Sequence, residues 1–389
     1  MKKKNILIFL FLVFVKSLPA QINLSDSSEI SIITAGPGTE LYEAFGHSAI
    51  RIKDPILQMD IIYNYGIFDY NAPNFYVNFT KGKLLYKLAR YKFKYFLTSY
   101  KKDKRWVKEQ VLNLNQKQKQ AYFIFLENNV RPGNETYFYD PYFNNCATKL
   151  RDITKEILDN KVHFTDKNYN QKQSFRQLMD KEIPWNTWGS FGINLALGNK
   201  LDHIADYEAA MYLPDYVYAV FKHSRVLVDG KTLNLIKKEE KLLDYKELKQ
   251  NIITLNPLLV FCFILIIGVL ITYFDFKKKK RTKWFDFILC FVTGIVGILI
   301  IFLWFFTDHS TTSNNYNILW AFAPNLFMSI LLLNKRPKKW FKKYFVLLLI
   351  LLGIIPLFWI SGFQLFPLAS LPLLILLFIR YLFLSLKLK

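Results

Sequence analysis

Cysteine and histidine are scarce in this sequence of 389 residues, which contains three of the former and five of the latter. They form no CxxC or HExxH pattern and no dense cluster, so the usual sequence signature of a structural zinc site is missing. Cys262 and Cys290 lie inside apolar runs, where cysteine behaves as a small hydrophobic residue. Cys146 is therefore left without an evident disulfide partner. We expect neither a metal nor an organic cofactor.

Acidic residues are also few, at 30 against 52 lysines and arginines. After Asn256 the only ones are Asp275, Asp286 and Asp308. The basic residues of this second part occur in short clusters between apolar runs, whereas a nucleic-acid-binding domain carries them along a polar surface. The basic excess therefore indicates membrane topology, and we expect no nucleic-acid partner.

Apolar runs dominate residues 257–389. The five runs lie near Pro257–Phe274, Trp284–Phe306, Asn317–Leu333, Tyr344–Ile360 and Leu365–Leu384. The loops Lys277–Lys283 and Lys335–Lys343 carry six positive charges each, and the other two loops carry none. Because basic loops stay on the cytoplasmic side, the sequence predicts an α-helical bundle of five spans over 257–389, with residues 21–256 outside the cytoplasm.

The N-terminus supports export of the preceding domain. Met1–Lys4 is basic and Ile6–Val15 is apolar, which is the pattern of a secretory signal. Ten apolar residues are too few to cross a hydrocarbon core of about 30 Å. We predict a signal peptide over residues 1–20 with cleavage after Ala20; an uncleaved anchor is the alternative.

Residues 21–256 have the pattern of one mixed α+β domain. Strands are predicted at Ile30–Thr34, His47–Lys53 and Ile61–Gly66, and helices at Gln116–Asn128 and within Asp206–Phe221. The second and third strands are expected to pair antiparallel, which brings Asn64 near His47. The stretch from His163 to Trp188 is expected to be a polar loop, and Lys237–Gln250 a charged helix or linker.

Cys146 is the candidate nucleophile. A helix is predicted to begin at this residue, because Leu150, Ile153 and Ile157 recur at helical spacing. The N-terminal end of a helix stabilises a thiolate. The alternative is a buried core thiol with no chemical role.

A thiol nucleophile needs a base and a group that orients the base. His47 at a strand start is the candidate base, and Asn64 on the next strand is the candidate orienting residue. The backbone N–H of Cys146 and its neighbour Asn145 are candidates for an oxyanion hole, and Asp140 for a supporting role. The alternatives are a structural His47, an Asn64 that satisfies local backbone, and an Asn145 that only caps the helix. A histidine strand ahead of a cysteine helix predicts a circularly permuted papain-like fold.

Several segments together resemble the Lnb family. They are Gly46-His-Ser-Ala-Ile-Arg51, Tyr63-Asn-Tyr-Gly66, Asn145-Cys-Ala-Thr-Lys-Leu-Arg-Asp152, Tyr212-Leu-Pro214 and Asp308-His-Ser-Thr-Thr312 with Asn315-Tyr-Asn-Ile-Leu-Trp320. The resemblance implies an exported thiol domain joined to a membrane bundle, with Cys146 and His47 as the catalytic pair. It also makes Asp308 and His309 candidates for a contribution from the membrane side.

The activity that the resemblance implies is lipoprotein N-acylation in the bacterial inner membrane, with the catalytic domain in the periplasm. Phospholipid would donate a fatty acyl group, Cys146 would carry it as a thioester, and the α-amine of a diacylglyceryl-cysteine lipoprotein would accept it. Two other classes stay open. One is a membrane-anchored thiol hydrolase (peptidase, amidase or lipase), in which water resolves the thioester. The other is a non-catalytic envelope assembly factor, which needs neither Cys146 nor His47.

Overall fold

The computed structural model describes residues 22–69, 71–159, 161–166, 168–169, 172–247, 254–334 and 337–387. The predicted signal segment, residues 1–20, lies outside the described residues. The chain forms a sheet-rich N-terminal domain followed by a helical C-terminal region, which confirms the predicted α+β domain and helical membrane region; the papain-like assignment stays a prediction.

A seven-stranded antiparallel sheet organises the N-terminal domain, with strand order β10-β5-β1-β2-β3-β4-β6. A small second sheet has the order β7-β8-β9. The strands are β1 Glu29–Ala35, β2 His47–Asp54, β3 Met59–Ile67, β4 Leu85–Lys92, β5 Val107–Leu112, β6 Thr136–Phe138, β7 Val162–His163, β8 Arg225–Val228, β9 Lys231–Asn234 and β10 Ile236–Leu243.

Within the described ranges, eight α-helices belong to the N-terminal domain and five to the C-terminal region. The former are α1 Phe75–Thr80, α2 Phe93–Lys102, α3 Gln116–Asn129, α4 Cys146–Leu158, α5 Phe175–Glu182, α6 Trp188–Ala196, α7 Tyr207–Ala210 and α8 Pro214–His223. The latter are α9 Pro257–Lys277, α10 Lys283–Phe305, α11 Asn325–Leu331, α12 Phe341–Ile360 and α13 Leu371–Lys387.

Both faces of the large sheet are covered, so its central strands are buried on both sides. Helices α3, α4 and α8 pack on one face, where Ile50 and Ile52 of β2 join the main core. Helix α2 packs on the other face against Ala49 and Ile62. The predicted antiparallel pair β2–β3 is confirmed, with Ile50 opposite Tyr63.

The expectation of a polar loop over His163–Trp188 is wrong, because α5 lies within this stretch. Ser174 accepts a hydrogen bond from the backbone N–H of Gln177, and the Gln177 side chain accepts one in return from the backbone N–H of Ser174. This capping box satisfies donors that a helix start leaves free. Arg176 is buried although it is charged, which hides the inward face of α5 from a simple hydrophobicity pattern.

The expectation of a charged helix or linker over Lys237–Gln250 is also wrong for the residues that the structure describes. They begin with β10, the edge strand that pairs with β5. Glu239 accepts hydrogen bonds from Gln110 and from Lys222, each at 2.9 Å. Charged side chains are typical of an edge strand, where one face and one edge remain in water.

Among the described residues, four helical segments are long and apolar enough to cross a membrane. They are α9, α10, α12 and Leu368–Lys387, which contains α13. The third predicted span, Asn317–Leu333, is instead a 3-10 turn at Tyr316–Leu319 followed by the short helix α11. Pro324 explains the break, since proline lacks a backbone N–H and disfavours helical geometry at the preceding residue.

The broken segment nevertheless returns along α10 from one end to the other. The Asn325 amide donates to the Thr293 hydroxyl of α10 at 3.0 Å. Arg281, just ahead of α10, donates to the carbonyl groups of Leu332 and Asn334 at 2.8 and 2.7 Å. Such irregular backbone is tolerated at membrane depth where protein surrounds it. The chain therefore passes through the bundle five times, once as a discontinuous helix.

An ionic cluster joins three of the long helices. Arg380 of α13 donates to Asp286 of α10 at 2.6 Å and to Asp275 of α9 at 2.7 Å. Asp286 also accepts a hydrogen bond from Arg281 at 3.2 Å. Arg380 and Asp286 are fully buried, and ionisable groups inside a membrane bundle are costly unless they are paired in this way.

Candidate active site

Cys146 is the first residue of α4, as the sequence predicts, and it is buried. Asn145 caps the helix: its side-chain oxygen accepts hydrogen bonds from the backbone N–H groups of Ala147 and Thr148, both at 2.9 Å. The Thr148 hydroxyl accepts one from the backbone N–H of Asn145 at 2.7 Å. This capping box fixes the start of α4 at Cys146, because Asn145 already has extended backbone geometry.

His47 is the first residue of β2, and its side chain is fixed by Asn64 of β3. The His47 Nε2 atom lies 2.6 Å from the Asn64 side-chain oxygen, and the Asn64 amide nitrogen donates to the Tyr91 hydroxyl at 2.9 Å. An amide oxygen only accepts, so Nε2 carries a proton and donates it in this bond. That tautomer leaves Nδ1 free to take the thiol proton.

The two side chains form an electrostatically coupled pair. Burial alone raises the pKa of Cys146, but the positive charge of His47 and hydrogen bonds from His47 and the backbone of Ser48 and Ala147 outweigh it, so the pKa lies below its ordinary value of 9.0. Burial alone lowers the pKa of His47, but the negative charge on Cys146 and hydrogen bonds to Cys146 and Asn64 leave it above 6.5. Each side chain therefore favours the charged form of the other.

Gly66 leaves the space in which the two side chains meet. Its φ of +97° is a backbone geometry that residues with a side chain rarely adopt. A Cβ placed there would lie 3.7 Å from the Cβ of Cys146 and 3.9 Å from Cε1 of His47. The end of β3 thus allows a histidine on one sheet face to reach a helix that packs on the other.

A cavity of about 800 Å³ contains this pair, and its lining is mostly apolar. That volume is near the upper end of the range for small-molecule sites. Its lining comes from many elements of the chain, among them the ends of β2 and β3, the turn that precedes α4, and the outer end of α10 with the loop that follows it. The apolar and aromatic members include Phe45, Ile67, Phe68, Phe79, Leu84, Tyr86, Tyr100, Tyr139, Leu213 and Leu303.

The loop after α10 is attached to the N-terminal domain at several points. The Ser310 hydroxyl hydrogen-bonds the Asp140 carboxylate. The other oxygen of Asp140 accepts the backbone N–H groups of Tyr142 and Phe143 at 2.9 and 3.0 Å, in the turn that leads to Cys146. The carbonyl oxygen of Thr311 accepts a hydrogen bond from Gly198 at 2.9 Å. The membrane region therefore forms one wall of the cavity.

The structure brings the predicted site residues together. His47, Asn64, Cys146, Asn145, Asp140, Asp308 and His309 all line the cavity. The supporting role of Asp140 stays a prediction. In the described part of the chain, no group of three or more His, Cys, Asp or Glu side chains is placed to hold a metal ion.

The Asn145 side chain does not fit the predicted oxyanion-hole role. Its amide nitrogen donates to the carbonyl groups of Pro141 at 2.7 Å and Tyr212 at 2.8 Å, which uses both of its hydrogens. Its oxygen caps α4. Asn145 therefore fixes the position of the nucleophile, and the backbone N–H of Cys146 is the remaining candidate donor from the predicted set.

The comparison with family models decides the family. Residues 17–189 match the Lnb N-terminal periplasmic domain, and residues 248–389 match the Lnb transmembrane domain. The chain belongs to the Lnb family. Together the two Lnb matches include Cys146, His47 and the membrane loop that lines the same cavity, and they identify a membrane protein with a periplasmic domain. No curated protein and no solved structure matches the chain.

Sequence reasoning missed the aromatic residues around the thiol. Tyr139 directly precedes Asp140, and its ring stacks on Tyr86 with centroids 4.2 Å apart. Burial and the negative charge of Cys146 raise the pKa of Tyr139 well above its usual value, so it stays protonated and able to donate a hydrogen bond. The signal was present in the Tyr-rich run Tyr137–Tyr142, which reads equally well as an ordinary strand and turn.

Proposed function

We propose that this protein is a lipoprotein N-acyltransferase of the bacterial inner membrane. The observation that carries the proposal is the position of the Cys146–His47 pair in a large apolar cavity, one wall of which is a loop of the membrane region. An acyl chain attached to a membrane lipid fits such a cavity, because its walls are apolar and one end belongs to a membrane-spanning helix. Membership of the Lnb family agrees with this assignment.

In the first half-reaction Cys146 takes the acyl group. The thiolate attacks the carbonyl carbon of a phospholipid ester, and the negative charge moves to the carbonyl oxygen. The backbone N–H of Cys146, at the start of α4, is a candidate donor to that oxygen. The carbon–oxygen ester bond then breaks, and the imidazolium of His47 gives its proton to the leaving lysophospholipid. The product is a thioester on Cys146.

In the second half-reaction the α-amine of a diacylglyceryl-cysteine lipoprotein attacks the thioester. His47, now neutral, accepts a proton from the attacking nitrogen. The carbon–sulfur bond breaks, and the thiolate of Cys146 is restored beside imidazolium. The product is an N-acylated lipoprotein. Asn64 acts as a positioning residue in both halves, since it holds the His47 ring through Nε2.

The test compares lipoprotein N-termini by mass spectrometry. Full-length protein, a phospholipid with a labelled acyl chain, and a diacylglyceryl-cysteine lipopeptide are combined in vesicles, using wild type, Cys146→Ser and a Cys262→Ser control. We expect labelled N-acyl lipopeptide with wild type and Cys262→Ser, and none with Cys146→Ser.

Three outcomes would contradict the proposal. Labelled free fatty acid without N-acyl lipopeptide would indicate a thiol hydrolase. Equal N-acyl product with Cys146→Ser and wild type would remove the catalytic role of the thiol. No labelled product with any of the three proteins, together with unchanged lipoprotein acylation in cells that carry Cys146→Ser, would favour an assembly factor.

A further inference from the structure

Helix α1 has an unusual surface for part of a folded domain. All six of its residues are described, and none is buried, although Phe75, Tyr76, Val77 and Phe79 are aromatic or aliphatic. The exposed fraction is 74% for Tyr76, 51% for Val77 and 49% for Phe79. Adjacent exposed apolar side chains of this kind mark contact with a membrane or another protein.

The position of α1 indicates a membrane as the partner. The carbonyl oxygen of Lys81, directly after α1, accepts the backbone N–H of Asp308 at 2.8 Å. Lys83 lies 3.9 Å from the Asp308 carboxylate. Asp308 follows the last residue of the spanning helix α10, Phe305, by only three positions. Since the end of a span marks the edge of the hydrocarbon core, these contacts hold α1 at the periplasmic surface of the bilayer.

We propose that α1 is a membrane-docking helix. It contacts the periplasmic leaflet of the bilayer that the membrane region spans. Its exposed aromatic and aliphatic side chains would enter the boundary between headgroups and acyl chains, where tyrosine is enriched in membrane proteins. Lys81 and Lys83 flank these side chains and are exposed, so they can attract anionic headgroups. The surface continues that of α10, whose terminal Phe305 is also exposed.

The same helix borders the catalytic cavity. Phe79 of α1 and Leu303 of α10 both line it. Helix α1 therefore lies between the cavity and the lipid, and the acyl donor would enter the cavity beside α1, past Phe79 and Leu303. This entry route rests on the proposed function, whereas the docking of α1 on the bilayer does not.

A photocrosslinking experiment tests the docking without catalysis. Full-length Cys146→Ser protein carries p-benzoylphenylalanine in place of Tyr76 and is irradiated in vesicles of phosphatidylethanolamine and phosphatidylglycerol. The negative control carries it in place of Ile56, which is 70% exposed in the turn after β2. That turn lies roughly 26 Å from His47, at about 3.3 Å per strand residue. The positive control carries it in place of Phe305.

We expect phospholipid adducts from positions 76 and 305 and none from position 56. The docking proposal is overturned if position 76 yields no lipid adduct while position 305 does. It is equally overturned if the adduct at position 76 is another protein chain, because the surface would then be a protein interface.

A separate measurement tests the entry route. Val77→Asp places a charge among the docking side chains without touching the catalytic pair, and Ile56→Asp is its matched control. We expect Val77→Asp to slow acyl transfer from vesicle phospholipid severalfold and to change transfer from a short-chain, water-soluble ester little. Ile56→Asp should match wild type with both acyl donors. Equal rates for Val77→Asp and wild type with vesicle lipid would overturn the entry route. If no variant transfers an acyl group to the amine, the proposed function fails while the crosslinking result stands.

Discussion

At the scale of single residues, the site contains a buried thiol whose pKa is lowered rather than raised. Burial alone would make Cys146 a poor nucleophile, because a charged group loses its hydration. The nearby His47 and two backbone N–H groups reverse this effect. An N-terminal helix position contributes in the same direction. The reactivity of Cys146 is thus a property of the pair and not of the cysteine alone.

The coupled pair predicts an unusual pH dependence of thiol alkylation. In a Cys262→Ser, Cys290→Ser background, iodoacetamide should modify Cys146 with a midpoint below the ordinary thiol pKa of 9.0, because the pKa of Cys146 is lowered. His47→Ala removes the positive charge, so the midpoint should move to higher pH. The labelling rate, followed by mass spectrometry, measures both midpoints. Identical midpoints for the two proteins would rule out the ion pair.

The hydrogen bond between Asn64 and His47 leads to a prediction about how activity falls at alkaline pH. This hydrogen bond helps to raise the pKa of His47 above 6.5. Asn64→Ala should therefore let the imidazolium lose its proton at lower pH, and the alkaline limb of the activity profile for thioester formation should move to lower pH. We also expect a roughly tenfold lower rate at the optimum, the effect of about 1.4 kcal/mol in the barrier.

The control for this prediction is Asn128→Ala, since Asn128 lies in the last turn of α3, away from the pair. Its profile should coincide with that of wild type. An Asn64→Ala enzyme with reduced rate but an unshifted alkaline limb would show that Asn64 acts on the fold rather than on the imidazole.

At the scale of secondary-structure elements, the ionic cluster of the membrane region makes a stability prediction. Arg380→Met leaves Asp275 and Asp286 without their main partner inside the bundle. Breaking a buried ion pair in this way costs about 3–5 kcal/mol. The midpoint of thermal unfolding in detergent should fall markedly.

The double variant Arg380→Met, Asp286→Leu provides the comparison. It replaces both members of the buried pair by apolar side chains, and Arg281 and Asp275 remain with opposite charges. We expect it to recover much of the lost stability, since apolar replacements of buried ion pairs are often neutral. A single variant as stable as wild type would mean that the cluster contributes nothing to the bundle.

Local sequence pattern predicted the elements that carry His47 and Cys146. The strand at His47, its antiparallel partner with Asn64, and the helix that begins at Cys146 each follow from alternation, periodicity and capping. Helix α5 and strand β10 were not predicted, because the contacts that determine them join residues that are distant in sequence. The inward face of α5 is formed partly by Arg176, which binds Asp202, and β10 is a strand because β5 offers it an edge.

The third membrane span shows a different limit of sequence reasoning. Hydropathy predicts that Asn317–Leu333 crosses the membrane, but it does not predict the conformation in which it does so. The buried amide of Asn317 donates to the carbonyl groups of Asn194 and Leu195, and that of Asn325 donates to Thr293 of α10. Those partners become known only once the bundle is assembled.

At the scale of the whole molecule, the membrane loop and the periplasmic domain complete one cavity. The hydrogen bond between Ser310 and Asp140 connects the loop to the turn before Cys146. The sequence alone does not predict this contact, because the two residues are 170 positions apart. The resemblance to a two-part family explains why both parts are present, and the cavity gives a physical reason why they are joined.

Ser310→Ala tests this connection. A hydrogen bond to a charged group contributes about 1.5–3 kcal/mol, so acyl transfer should fall by roughly ten- to a hundredfold if the loop positions the substrate. Alkylation of Cys146 should stay unchanged, because the ion pair with His47 is intact. Ser310→Thr should retain activity, and Ser361→Ala, in the other outer loop, should match wild type. Full activity of Ser310→Ala would show that the loop contact has no role in transfer.

The most direct measurement of the central claim is detection of the acyl-enzyme itself. Full-length protein is mixed with labelled phospholipid without any lipoprotein acceptor, and the peptide that contains Cys146 is analysed by mass spectrometry. We predict a labelled acyl thioester on Cys146 that hydroxylamine releases and that adding a diacylglyceryl-cysteine lipopeptide converts to labelled N-acyl lipopeptide. N-acyl product that forms with no acyl group ever on Cys146, or an acyl-enzyme that only water discharges, would contradict the account.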